Sequence, residues 1–194
     1  MVGGIVMNNA SGMNCGTHAN SDKMLLSVHI IYPDGYYLKT DSQESRENFK
    51  EDYPEFLQRI CELRDQIRSN EQLSARIRHK YSIKNVTGLI ILPFLVYDAP
   101  FDIIAHLMVG SEGTLAFLAG VTMKTEYDYP YKASAMLFFS DIKEACRAVV
   151  AMKRLVNANG EWIVKGAELL DWKSLASVND PTGEGLTAVL TETK

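Results

Sequence analysis

The spacing of apolar residues changes several times along the chain, and each change predicts an element. Residues 25–32 (Leu-Leu-Ser-Val-His-Ile-Ile-Tyr) form an apolar run rich in β-formers. Pro33-Asp34-Gly35 follows and predicts a turn, because Pro presets φ and Gly accepts a positive φ. Tyr36-Tyr37-Leu38-Lys39-Thr40 then resumes an extended pattern, so residues 25–40 predict a β-hairpin. From residue 42 to about 80 the chain is charged and has no glycine. Phe49, Tyr53, Leu57, Ile60, Leu63 and Ile67 recur at three or four residues, which is helical spacing. Pro54 fits either the first turn of a helix or a break. Residues 71–79 predict a second, short helix.

Beyond that insertion, residues 98–109 predict a short helix with Ile103, Ile104, Leu107 and Met108 on its inner face and Asp98 or Asp102 as its cap. Residues 116–124 read as a strand. Composition shifts at Tyr127-Asp128-Tyr129-Pro130-Tyr131, and a domain boundary is expected there. The boundary divides the chain into residues 1–127 and 128–194. In the second part, residues 133–139 predict a strand. Residues 141–156 predict an amphipathic helix with Ile142, Ala145, Cys146, Val149, Met152 and Leu155 inside, ended by Asn159-Gly160. Residues 162–164 predict a short strand, and 168–174 the start of another helix. A loop at 179–183 and a last strand at 186–191 complete the pattern. This alternation suits half of an α+β layer, and the fold class expected for the chain is α+β.

The opening residues lack such a period. Gly3-Gly4-Ile5-Val6 runs into Met7-Asn8-Asn9-Ala10-Ser11-Gly12-Met13-Asn14-Cys15-Gly16, where small and polar residues dominate. Such a stretch lets backbone approach a ligand closely and offers N–H groups to an anion. Composition alone favours a plain irregular loop.

Charge and cysteine content narrow the function classes. The formal net charge is -4 and the pI about 5.6, against the basic balance of a general nucleic-acid binder. The three cysteines, Cys15, Cys61 and Cys146, are far apart and show no zinc spacing, so unpaired thiols in a reducing cytoplasm are expected. No apolar run reaches the ~18 residues of a membrane span, and the longest, at 89–97, is interrupted by Pro93. No basic stretch precedes an apolar one at the N-terminus, so no signal peptide is expected. Arg64, Arg68, Arg76, Arg78 and Lys80 read as a solvated helical face rather than an anion site. His18, His29, His79 and His106 have no metal spacing; His29 and His106 are expected to be packed or hydrogen-bonded. No HExxH, no Gly-x-Ser-x-Gly elbow and no paired carboxylate at a telling spacing points to a hydrolase.

Three segments carry a resemblance: Gly3-Gly4-Ile5-Val6-Met7-Asn8-Asn9-Ala10-Ser11-Gly12, Lys84-Asn85-Val86-Thr87-Gly88, and Gly110-Ser111-Glu112-Gly113-Thr114-Leu115 with the strand after it. In this order, with the hairpin between the first two, they resemble FAD-linked oxidases of the vanillyl-alcohol-oxidase type, in the branch of D-lactate and glycolate dehydrogenases. The segments around Ile77-Arg78-His79-Lys80-Tyr81 and Asp102-Ile103-Ile104-Ala105-His106-Leu107-Met108 resemble the subgroup that appends an iron–sulfur domain to the flavin module.

The resemblance implies that the chain is the second subdomain of a PCMH-type FAD-binding domain, with a helical insertion at about 42–80, followed by the beginning of the α+β cap domain. It implies FAD as cofactor, held at Met7, Asn8, Asn9, Ala10, Ser11 and Gly12 and at Glu112, Gly113, Thr114, Leu115, Ala116, Phe117 and Leu118. Small residues let the main chain meet the cofactor, and Thr114 can offer a hydroxyl. Relatives usually have Gly where this chain has Ala116, a departure that could narrow the adenine pocket. Glu112 is expected to brace its loop rather than act as an acid. Lys84, Asn85 and Thr87 lie near the flavin in relatives, with a structural turn as the equal alternative. The implied reaction is hydride transfer from a small 2-hydroxy acid to flavin. The catalytic base, substrate cations and any metal ligands of relatives lie further downstream, so no catalytic residue or metal ligand is assigned. The implied parent protein is cytoplasmic, with peripheral attachment at the inner membrane left open, and its electron acceptor is not specified. The upstream flavin subdomain and downstream domains are expected to lie outside the chain, whose exposed flavin-facing surface would then favour self-association. A non-catalytic binding module that keeps the fold without the cofactor is the alternative.

Overall fold

The computed structural model describes residues 1–12, 15–16, 18–177 and 187–193. The chain is a mixed α and β protein that divides into two compact units. The first comprises Met1–Ser11 and Thr17–Thr125, and the second Gly12–Gly16 and Glu126–Lys194.

The first unit is built on the hairpin. Strands β1 (Leu25–Ile31) and β2 (Tyr37–Lys39) pair antiparallel with Ile30 opposite Leu38. Asp34 closes the turn by accepting from the Tyr36 N–H at 3.0 Å, and Gly35 takes a φ of 89°. Past β2 the Thr40 side chain continues the ladder, since its Oγ1 accepts from the Val28 N–H at 2.9 Å. Strand β3 (Phe117–Met123) joins the other side of β1, giving the order β2-β1-β3, all antiparallel. Val28, Ile30 and Leu38 lie fully buried on one face. On the solvent side His29 Nε2 lies 2.9 Å from Asp41 Oδ1.

Helices cover the buried face. The insertion forms three: α3 (Gln43–Asp52), α4 (Pro54–Ser69) and α5 (Glu71–Lys80). Pro54 is the break, because it begins α4 at a position where its missing N–H costs no helical bond. Ser42 caps α3 and Asn70 caps α5, each accepting a backbone N–H with its side chain. Phe49 is 1 % exposed and stands within 6.0 Å, ring centre to ring centre, of Tyr32, Tyr36, Tyr53, Phe56 and Phe101. This aromatic cluster fixes α3 and α4 to the hairpin, and the Tyr53 hydroxyl adds a 2.6 Å hydrogen bond to Asp34 Oδ2.

Two short helices, α6 (Pro93–Val96) and α7 (Pro100–Leu107), complete the first unit. Helix α7 buries Phe101, Ile103, Ile104, Ala105 and His106. Its cap is Ala99, with Pro100 in the first turn; neither Asp98 nor Asp102 caps it. Asp98 is engaged by Arg68, whose Nη1 bonds its Oδ1 at 2.5 Å. The same guanidinium donates to the carbonyls of Phe94 at 2.9 Å and Tyr97 at 2.8 Å. Arg64 donates to the Asp98 carbonyl. Part of the expected solvated basic face therefore braces the 93–98 segment.

The opening residues depart from the expected loop. Val2–Met7 form helix α1 despite Gly3 and Gly4, both poor helix formers. Burial decides it: Val6 is 0 % and Met7 8 % exposed within the hydrophobic core. A four-residue helix, α2 (Ser21–Met24), leads into β1.

The second unit is a three-stranded antiparallel sheet in the order β4-β6-β5, from β4 (Ala133–Phe139), β5 (Val164–Leu170) and β6 (Thr187–Thr193). Helices α8 (Ile142–Met152) and α9 (Trp172–Ser177) bury Ala145 and Leu175, and central β6 buries Ala188 and Val189. Helix α8 ends at Met152, well before Asn159-Gly160. Leu155 and Val156, 50 % and 48 % exposed, instead enter a tight return in which Val156 bridges to Trp162 and Gly160 takes a φ of 79°. Of the expected inner face of α8 only Ala145 is buried. Glu168 to Leu170, expected as helix, belong to β5, because pairing with β6 overrides a short helical pattern. The following helix starts after Asp171, whose Oδ1 accepts from the Ser174 N–H at 2.8 Å. The loop expected at 179–183 lies outside the described residues.

Two predictions concern stability. Replacing Arg68 with Met removes three hydrogen bonds at 32 % side-chain exposure and leaves two carbonyls without their donor. We expect a loss of about 1–2 kcal/mol in urea unfolding, and an unchanged midpoint would refute the bracing role. His106 is 6 % exposed, stacked 4.0 Å from Tyr97, and its Nδ1–H donates to the Asp102 carbonyl at 2.8 Å. Burial holds its pKa below the ordinary value of 6.5. The unfolded chain then binds the proton first, so stability is full above about pH 6.5 and falls as pH drops towards the folded pKa. His106→Gln should flatten that slope in denaturation midpoints measured between about pH 7.5 and 5.5.

Candidate functional site

The turn after α1 holds the first expected segment. Asn9 is 1 % exposed and left-handed, with φ 54°. Its side-chain oxygen accepts from the Asp22 N–H at 3.2 Å. The Ala10 carbonyl accepts from Ser21 Oγ at 2.7 Å, and Ser11 Oγ bonds Asn20 Oδ1 at 2.6 Å. The side chains of Asn20 and Ser21 and the backbone N–H of Asp22 therefore fix the path of residues 9–11.

The third segment docks onto the first through the backbone. The Gly110 N–H donates to the Val6 carbonyl at 3.3 Å, and the Glu112 N–H to the Met7 carbonyl at 2.9 Å. Side chains reinforce the junction. Asn8 Nδ2 donates to Glu112 Oε1 at 2.7 Å, and Ser111 Oγ, 1 % exposed, lies 3.2 Å from the Met7 sulfur. Glu112 is thus a bracing acceptor.

The second segment meets both at Gly110. A Cβ on residue 110 would stand 2.5 Å from the Gly88 carbonyl oxygen and 3.6 Å from the Asn9 Cβ. Only glycine permits that approach, and its φ of 76° also favours glycine. Nearby, Lys84 Nζ lies 3.2 Å from the Ser11 carbonyl oxygen. Asn85 Oδ1 accepts from the Thr87 hydroxyl at 3.0 Å, a local turn of the Asx kind.

Segments distant in sequence are therefore brought together: residues 7–11, 84–88 and 110–118. Five of the eight positive-φ positions among the described residues lie here, namely Asn9, Gly88, Gly110, Glu112 and Gly113. Glu112, at φ 52°, has no glycine's freedom and is held by its bonds to Met7 and Asn8. Strained backbone of this kind persists where surrounding structure over-determines it.

The expected site residues divide by orientation. Asn8, Glu112, Gly113, Thr114, Leu115 and Phe117 are exposed, Phe117 at 69 %. Ala10, Ser11 and Leu118 are half-buried. Met7, Asn9 and Ala116 are buried, and the Ala116 methyl belongs to the hydrophobic core. Gly12 falls in the second unit. At Gly12, Gly88 and Gly113 an added Cβ would meet no atom within 4 Å, so the backbone there borders open space. Thr114 Oγ1 donates to the Ser111 carbonyl at 2.6 Å, which commits its proton and leaves the oxygen as an acceptor.

Residues 20–22 were not singled out by sequence, although Asn20-Ser21-Asp22 is a typical capping run. Asp22 lines a small cleft with Lys23, Ile90, Leu92, Pro93, Val96, Tyr97 and His106. Among the described residues no group of three or more His, Cys, Asp or Glu side chains could hold a metal ion, and no disulfide joins Cys15, Cys61 and Cys146. No helix is long and apolar enough to cross a membrane. Compared with known proteins, the chain matches no family model and no curated protein.

The two glycines of the third segment separate strain from collision. Gly110→Ala combines an unfavourable φ with a 2.5 Å approach to a backbone oxygen, and should cost upwards of ~2 kcal/mol. Gly113→Ala meets open space and carries only the φ strain, about 1 kcal/mol. Thermal or urea unfolding of both variants checks this; equal losses would contradict the packing at Gly110.

Proposed function

We propose that the chain is the cofactor-facing part of an FAD-dependent oxidoreductase that oxidises a small 2-hydroxy acid. The observation that carries this reading is the convergence of residues 7–11, 84–88 and 110–118, the segments that resemble flavin oxidases, at one junction with five left-handed backbone positions.

The residues fit one wall of a flavin-nucleotide site. Gly88 and Gly113 present main chain to open space, so a phosphate or ribose oxygen can approach without meeting a Cβ. The Thr114 oxygen is oriented by its bond to Ser111 and can accept from a ribose hydroxyl. Leu115 and Phe117 supply apolar surface beside these polar groups. Asn8 and Glu112 restrain each other across the junction and hold the wall in shape. Ala116 is buried and packs into the core, so it backs this wall from beneath and its methyl does not project from it. FAD, when bound, would accept the hydride; this part of the chain binds and orients, and no proton-transfer residue is assigned to it.

A non-catalytic binding module on the same fold is the competing reading. Its support is that the one carboxylate in the third segment, Glu112, is engaged with Asn8. FAD fluorescence titrated with the purified chain separates the two. Saturable quenching that weakens in Gly113→Val, without turnover of D-lactate or glycolate by the chain alone, is the expected result. Absence of saturable binding would favour the non-catalytic reading.

A further inference from the structure

The second unit's sheet ends in two edges of different character. On one, β5 carries Lys165 and Glu168 and a register shift between Val164 and Gly166. Charges and bulges of this kind keep an edge from pairing with another chain. On the other, β4 has neither charge, proline nor glycine, and it pairs with β6 through seven successive positions without a bulge. Among the described residues no strand lies beside its outer side. Met136, Leu137 and Phe138 are 42 %, 37 % and 41 % exposed, so apolar side chains show on both faces of the strand. A row of backbone donors and acceptors flanked by apolar side chains is a template for one more strand.

We propose that a second copy of this chain supplies that strand, its β4 adding antiparallel to the first so that two three-stranded sheets join into one of six. The order of residues in β4 argues for a second copy. Antiparallel pairing of identical strands closes on a twofold axis. With the axis normal to the sheet each face maps onto itself, so one residue must lie opposite its own counterpart. Centring the axis on Met136 uses the whole strand. Ala133 then faces Phe139, Ser134 faces Phe138, and Ala135 faces Leu137. Each of these three pairs sets a small side chain against a large one on the same face, the complementary arrangement for cross-strand packing, while Met136 meets its own counterpart on the axis. Just beyond, Lys132 of each copy comes level with Ser140 of the other; Lys132 is already paired with Asp128 and Asp141 caps α8, so the match rests on the strand itself. The surface is distinct from the exposed Leu115 and Phe117 of the first unit.

Sedimentation velocity of the full chain over a range of concentrations tests the proposal. We expect a monomer–dimer equilibrium. Met136→Lys and Met136→Glu each place like charges opposite one another on the axis, and each should weaken association at least tenfold. An equimolar mixture of the two should restore the dimer, since Lys then faces Glu. The side chain is already exposed, and far-UV circular dichroism reports whether each variant keeps its fold. A wild-type chain that stays monomeric throughout overturns the proposal, and this holds even if a variant fails to fold. So does a dimer undiminished in Met136→Lys, which would place the contact elsewhere. A mixture of monomeric variants that does not re-associate overturns the pairing about Met136.

Discussion

The carbonyl oxygen of Gly88 lies 2.5 Å from the place where any side chain at residue 110 would begin. That approach draws three stretches of chain into one junction. The Gly110 N–H is tied to Val6 and the Glu112 N–H to Met7, while Asn9 packs against Gly110 and is anchored in turn by Asp22. The arrangement needs left-handed backbone at five positions, which few residues other than glycine adopt freely. What holds it is the core beneath: Val6, Met7, Ile103, Ile104, Met108, Val109 and Ala116 are all buried there. A buried apolar base carries a strained polar rim, the face we propose for the nucleotide.

Much of the fold is legible in the sequence because its signals are local. The hairpin follows from an apolar run, a Pro-Asp-Gly turn and a second run. The helices of the insertion follow from apolar spacing, and Pro54 and Asn70 mark their starts. Elements fixed by distant partners are less legible. Helix α1 contains two glycines in six residues and exists because Val6 and Met7 are buried. The first residues of the expected helix at 168–174 are strand because β6 pairs with them. Arg68 reads as surface charge until its partners, 26 to 30 residues away, are in place.

The candidate site is legible in the same uneven way. Glycines and small polar residues single out the three segments, since close backbone approach demands those residue types. Side-chain direction is not written there. Met7, Asn9 and Ala116 look like ligand contacts in a linear motif and turn inward in the structure. Thr114 looks like a donor, yet its proton is committed to Ser111. Asn20, Ser21 and Asp22 position the first segment through bonds that no motif records. The chemistry offered to a ligand is therefore mainly that of backbone at half-buried Gly88 and exposed Gly113, with Asn8, Thr114, Leu115 and Phe117 around it.

The proposal that this rim is a flavin-nucleotide wall is tested most directly by recording amide NMR spectra of the isotopically labelled chain during titration with FAD. The predicted result is a set of shifts confined to residues 8–11, 84–88 and 112–118 that saturate together, with the residues of α4 and α5 unmoved. Shifts scattered over the surface, or centred away from the junction at Gly110, would contradict it.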